Sequence, residues 1–190
     1  MLNFKRWLQN INESSNYEKP NSLPKKIKVY HGGSDFDNFD LNHLGHGEER
    51  TTRMKADLGA GIYFSDCEHI AKLYMKHAIG KPALHTAEID TTNIFDRRHG
   101  TPHLNDIRSN LTKDIKEKYN NVAVDNLIKT FGIEKALPKL MTNKQAAETL
   151  NKYGIDGTFT RLPGGCLEIA VYNPNIITKI SKEYLTDIPK

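Results

Sequence analysis

Cysteine is scarce in this chain: Cys67 and Cys166 are the only two in 190 residues. They lie far apart, with no C-x-x-C, which argues against a disulfide framework and predicts reduced thiols in a cytoplasmic protein. The N-terminus has no apolar leader core, and no hydrophobic run approaches membrane-spanning length, so neither a signal peptide nor a membrane anchor is expected. Internal repeats and low-complexity stretches are missing as well. Charge is not strongly of one sign: 27 basic against 23 acidic residues leave +4. That balance permits a nucleic-acid or acidic partner without demanding one. What is present is 37% apolar residues, enough for the core of one domain, with 26% charged residues for its surface.

Phe4, Trp7, Leu8 and Ile11 recur at helical spacing, so residues 1–26 read as an amphipathic helix followed by a linker broken by Pro20 and Pro24. The helix packs on the domain, or serves as a membrane-surface or partner helix. Residues 27–190 form the main domain. Ile27 to His31 alternates as a half-buried strand that ends at Gly32-Gly33-Ser34. A long polar excursion over residues 34–58 follows, with Arg50, Arg53 and Lys55 near its end.

Gly61-Ile62-Tyr63-Phe64-Ser65 then reads as a strand entering a helix, with Ser65 and Glu68 as a capping box and Ile70, Leu73 and Tyr74 on one face. Tyr63 and Tyr74 would flank a slot for a flat ligand. Ala83 to Ile89 is a strand, continued or edged by Asn93 to Phe95. Residues 101–151 are helical: Leu111, Ile115 and Tyr119 make one stripe, Val122 to Phe131 a second helix, and Thr142 with Gln145 caps a third that stops at Gly154. Strands return at Thr158 to Arg161 and Cys166 to Tyr172 around the turn Leu162-Pro163-Gly164-Gly165, and at Ile176 to Ile180. Glu168 is the only charge in its strand, on the same face as Ala170 and Tyr172.

Singly, these residues are ordinary: His31 a structural histidine, the tyrosines core, Glu168 a solvated edge residue. In combination, Tyr30-His31-Gly32 closing a first strand, Gly61-Ile62-Tyr63-Phe64-Ser65 leading to Tyr74 eleven residues after Tyr63, and Glu168 in a late strand resemble the His-Tyr-Glu class of ADP-ribosyltransferases. That class contains diphtheria toxin and the poly(ADP-ribose) polymerases. The resemblance spans roughly residues 27–180 and is carried by those three places; residues 101–151 have no motif.

The resemblance implies an α+β fold of split, bent antiparallel sheets around an NAD cleft, with flanking helices and a helical insertion. NAD would be a co-substrate, and no metal is implied. His31 would hydrogen-bond the adenosine ribose, and Gly32 would hold the nicotinamide carboxamide through its backbone. Tyr63 and Tyr74 would sandwich the cationic ring, and Glu168 would stabilise the oxocarbenium-like transition state through the ribose 2'-hydroxyl. His31, Tyr63 and Glu168 are thus the catalytic candidates. Ser34 and Arg53 join His31, Gly32, Tyr63 and Tyr74 as cofactor-binding candidates.

Two positions depart from the wider pattern. Cys166 stands where arginine-modifying relatives carry Gln or Glu, and Ala71 where the polymerases carry a serine. The expectation is therefore a mono-ADP-ribosyltransferase acting on a nucleic-acid or protein acceptor. By analogy with minimal members of the class it would be a bacterial or phage-associated toxin or effector with an antitoxin or inhibitor partner, and no membrane is involved. An NAD glycohydrolase using water as acceptor, and a non-catalytic NAD-binding module, are the alternatives.

Other motifs are incomplete. Gly59-Ala60-Gly61 lacks the third glycine of a dinucleotide fingerprint and precedes its strand. His46-Gly47-Glu48 lacks the P-C-x-x-C of zinc deaminases. Arg50, Arg53 and Lys55 are placed either to contact the NAD pyrophosphate or a nucleic-acid acceptor, or merely to solvate their loop.

Overall fold

A computed structural model describes residues 23–44, 58–78 and 80–184, with backbone alone at His43 and His77. The amphipathic segment over residues 2–11, most of the linker, His46-Gly47-Glu48, Arg50, Arg53 and Lys55 lie outside the described residues. Among the described residues there are seven strands: β1 (Lys26–Ser34), β2 (Ile62–Ser65), β3 (Pro82–Asp90), β4 (Ile94–Asp96), β5 (Gly157–Arg161), β6 (Leu167–Val171) and β7 (Ile177–Glu183). Five α-helices accompany them: α1 (Glu68–Tyr74), α2 (Pro102–Tyr119), α3 (Val122–Phe131), α4 (Ile133–Leu140) and α5 (Asn143–Lys152).

The protein is α+β, and its strands form one mixed sheet in the order β4-β5-β6-β2-β1-β3-β7. Among the described strands only β4 and β5 pair in parallel, a pairing that the four helices α2–α5 between them in sequence allow. Two separate sheets are therefore not what forms. A seam remains, however: β1 and β2 share the single register pair Tyr30↔Ser65, whereas β1 and β3 pair along nine residues of each strand. One half, β4-β5-β6-β2, thus meets the other, β1-β3-β7, at one point, and the candidate residues gather around it.

The β5–β6 hairpin forms as its turn residues dictate. Gly164 and Gly165 both take positive φ, at 93° and 86°, and Leu162 N donates to Cys166 O at 2.7 Å. In the helical insertion, α5 has the expected capping box: Thr142 Oγ1 accepts from Gln145 N while the Gln145 side chain accepts from Thr142 N. The helix α4, which lacks an obvious sequence signature, is short and contains Pro138.

The main core joins Leu104, Leu111 and Ile115 of α2, Leu137 of α4 and Leu150 of α5 to Val29, Phe64 and Ile169 of the sheet. Each such fully buried aliphatic side chain contributes about 1.5–3 kcal/mol. A second, smaller cluster of Ala71, Met75 and Leu84, with Tyr30 against it, fixes α1 to the β1–β3 half.

Candidate functional site

Cross-strand register places the candidate residues. Glu168 of β6 pairs with Ser65 of β2 and with Thr160 of β5, and Ser65 pairs with Tyr30 of β1. Paired residues and their i±2 neighbours share a face, so Gly32, Tyr63, Ser65 and Glu168 all lie on one side of the seam. The helix α1 covers that side. A Cβ on Gly32 would lie 1.8 Å from the Ala71 carbonyl oxygen, so glycine is required for α1 to reach the sheet. The buried face of α1 is consequently Ala71 and the following Met75, not the Ile70–Leu73–Tyr74 stripe, and Leu73 is exposed.

This docking brings Tyr74, the last residue of α1, to Glu168. The tyrosine hydroxyl donates to Glu168 Oε1 at 2.8 Å across 94 residues of sequence. Glu168 is not a solvated edge residue: it is 9% exposed, on a strand flanked on both sides. A buried carboxylate needs such partners to offset the loss of water.

Tyr63 is half-buried, and its hydroxyl is engaged at the far end of its ring, donating to Gly59 O at 2.8 Å and accepting from Leu58 N at 3.1 Å. Nearby, Tyr172 is fully buried and donates to Leu58 O at 2.6 Å. Leu58 and Gly59 thus seat Tyr63, and a Cβ on Gly59 (φ 94°) would strike the Glu134 carbonyl of α4 at 2.4 Å.

The register turns the His31 side chain to the face opposite Tyr30 and Ser65. There its ring lies among Phe36, Phe39, Phe64 and His85, with centroids 5.5 to 5.9 Å away. Burial among these rings pushes its pKa down to about 4, although Nδ1 bonds the Tyr63 carbonyl oxygen at 2.7 Å. A neutral imidazole that gives its Nδ1 proton to a carbonyl keeps Nε2 as an acceptor. The structure therefore links His31 to the site through the Tyr63 main chain and does not bring its ring to Glu168. Ser34 offers its carbonyl to His85 Nε2 at 3.0 Å, and Nδ1 of the fully buried His85 has no partner among the described residues.

Two sequence expectations are corrected here. Ser65 does not cap α1: it is buried in the β2 ladder, its Oγ accepts from Cys67 N at 3.1 Å, and Cys67 is the N-cap residue, without a side-chain cap bond. Nor are the cysteines unpaired. Cys67 and Cys166 form a disulfide, with Cα atoms 5.7 Å apart and a sequence separation of 99. The hairpin turn delivers Cys166 to the start of α1, a proximity that spacing alone does not reveal. The cysteines therefore no longer argue for a reducing compartment. Asp66 reinforces the same junction, its Oδ1 accepting from Leu167 N at 2.7 Å.

Neither of two surface hollows includes His31, Tyr63, Tyr74 or Glu168. One, of about 450 Å³, lies by Lys26, Asp90 and Asn175; the other, of about 300 Å³, by Leu23, Thr101 and Phe159. No helix among the described residues is long and apolar enough to cross a membrane.

Fold and site together define an α+β protein with a part-buried tyrosine–carboxylate pair at the seam of a seven-stranded sheet. Comparison with protein-family models, with curated proteins and with solved structures finds no match.

Proposed function

We propose that the chain is a mono-ADP-ribosyltransferase that cleaves NAD at the nicotinamide–ribose bond and transfers ADP-ribose to a macromolecular acceptor, nucleic acid or protein. The observation that carries this reading is the Tyr74–Glu168 hydrogen bond: two residues singled out by motif, 94 positions apart, meet at one part-buried spot. Gly32 and Tyr63 lie on the same side of the sheet, as a nicotinamide slot would need.

Each residue then has a defined task. Tyr63, anchored at its hydroxyl, and Tyr74 present ring faces to the cationic nicotinamide, an attraction on the order of 1 kcal/mol in a dry slot. Glu168 accepts from the ribose 2'-hydroxyl and opposes the positive charge that grows on the sugar as the glycosidic bond breaks. Only an interaction that strengthens in this way accelerates the reaction. His31, whose ring lies on the opposite face, serves this site by holding the Tyr63 carbonyl oxygen through Nδ1 at 2.7 Å. A role as a cytoplasmic toxin or effector restrained by an inhibitor partner goes with this reading by analogy with minimal members of the class.

The test is nicotinamide release from labelled NAD in a cell lysate by wild type and Glu168→Gln, followed by separate nuclease and protease digestion. Release should fall by a factor of about 100 or more in the variant, and one digestion should free the label. Equal release by both proteins sinks the assignment. Free ADP-ribose with no labelled macromolecule replaces transfer by hydrolysis, and NAD binding without turnover leaves a binding module.

A further inference from the structure

Beside the proposed NAD site, and independent of it, Cys67, His69 and Cys166 converge where α1 begins and the β5–β6 hairpin ends. One ligand atom from each lies within 4.8 Å of the others. We propose that, with the disulfide reduced, these three side chains bind a thiophilic metal ion of the Zn²⁺ class, so that the same residues alternate between a disulfide and a metal site.

Zinc accepts two thiolates and an imidazole, with a fourth tetrahedral position left for water or an external ligand. Zn–S bonds of about 2.3 Å put two ligating sulfurs roughly 3.8 Å apart, so reduction must let the sulfurs separate by under about 2 Å. Side-chain rotation achieves this while the main chain stays in place. The backbone is held without the sulfurs: Asp66 Oδ1 accepts from Leu167 N at 2.7 Å, and β6 is paired to β2 from Ile62↔Val171 to Ser65↔Glu168. His69, in the first turn of α1, is exposed, so its ring can turn inward.

The two states interconvert in balanced steps. A dithiol reductant transfers two electrons and two protons to the disulfide and becomes a disulfide itself. Ion binding then releases both thiol protons, and the neutral imidazole gives a lone pair. Either state ties Cys67 to Cys166.

Co²⁺ is the probe, added to the full chain after anaerobic reduction and removal of the reductant. One equivalent should produce thiolate-to-cobalt charge transfer in the near ultraviolet together with visible tetrahedral bands, both abolished by Zn²⁺. The oxidised protein, folded and carrying the same His69, should give neither. His69→Ala, a change at an exposed position, should weaken Co²⁺ binding by about tenfold or more, and Cys166→Ser should remove most of the charge transfer. The proposal is overturned if reduced wild type lacks the thiolate–cobalt band, or if His69→Ala binds Co²⁺ as tightly as wild type. Because the readout is metal binding, failure here leaves the NAD assignment untouched.

Discussion

The Tyr74 hydroxyl donates to Oε1 of Glu168 at 2.8 Å, joining the end of α1 to a strand in the interior of the sheet. Tyr74→Phe removes that donor and keeps the ring. A hydrogen bond to a charged group contributes about 1.5–3 kcal/mol, and the substitution takes the tyrosine donor from the carboxylate. We expect NAD affinity within about threefold of wild type and nicotinamide release lowered by about tenfold, equivalent to 1.4 kcal/mol in the barrier. Tyr74→Ala should lose both. Isothermal titration beside a turnover assay separates them; if Phe costs as much affinity as Ala, the ring is not what binds NAD.

Gly32→Ala tests how α1 is seated. Its Cβ would lie 1.8 Å from the Ala71 carbonyl oxygen, a backbone atom that cannot rotate away. Overpacking of this kind costs about 1–3 kcal/mol, and displacement of α1 would also carry Tyr74 away from Glu168. A lower denaturation midpoint together with lost turnover is expected. A variant of wild-type stability would show that α1 shifts freely.

Locally coded features of the fold were legible. Thr142 and Gln145 form the capping box their spacing predicts, and α3 spans Val122–Phe131 as read. Ser65 and Glu68 have the same spacing without the box, because Ser65 is held in the ladder between Tyr30 and Glu168. Long-range sheet pairing overrides a local preference there. The α4 helix falls within residues 101–151, which read as helical, but has no separate signature because Pro138 breaks the pattern; proline has no N–H for the Glu134 carbonyl, which lies against Gly59 instead. In the site, the motif residues Tyr74 and Glu168 do meet, but the meeting of Cys67 with Cys166 and the burial of His31 among Phe36, Phe39 and Phe64 are tertiary facts with no local signal.

Acid should destabilise the protein through its histidines. His31 is depressed to about 4 from 6.5, and His85 is lowered as well, chiefly by burial. The unfolded chain takes up protons below pH 6.5 while folded His31 stays neutral until about 4, so stability is complete above 6.5 and falls across that window. At about 1.4 kcal/mol per pH unit, His31 contributes at most about 3.5 kcal/mol of this loss, less whatever its partial exposure screens. Urea midpoints at pH 7.5, 6 and 4.5 should decline, and less steeply in His31→Gln. Equal slopes would exclude His31 as a source.

Reduction of the Cys67–Cys166 bond should lower stability measurably. The bond closes a loop of 99 residues, for which chain entropy alone gives roughly 4–5 kcal/mol and measured bonds typically 2–4. Urea denaturation with and without a dithiol reductant, both with chelator, should differ by about 2–4 kcal/mol, and Cys67→Ser should behave like the reduced protein whether or not reductant is present. Coincident curves for the oxidised and reduced chains would mean that the link adds no constraint.

Arg108 and Glu134 connect the helical insertion to the site. Nε of Arg108 donates to Oε1 and Nη2 to Oε2 at 3.0 Å, with the Glu134 side chain only 6% exposed. Arg108→Ala would strand a buried carboxylate, for which 3–5 kcal/mol is usual; the partial exposure of Arg108 places the expected loss near 3 kcal/mol. Replacing the pair by Arg108→Met with Glu134→Leu removes both desolvation costs and should return stability to within about 1 kcal/mol of wild type. The consequence reaches Tyr63, because the Glu134 backbone packs on Gly59, whose carbonyl accepts the Tyr63 hydroxyl. A shifted α4 should therefore loosen that ring and weaken NAD binding in Arg108→Ala, and the apolar pair should restore it. If stability recovers in the double variant while NAD affinity does not, the ion pair acts on the site through its charge instead of through the position of α4.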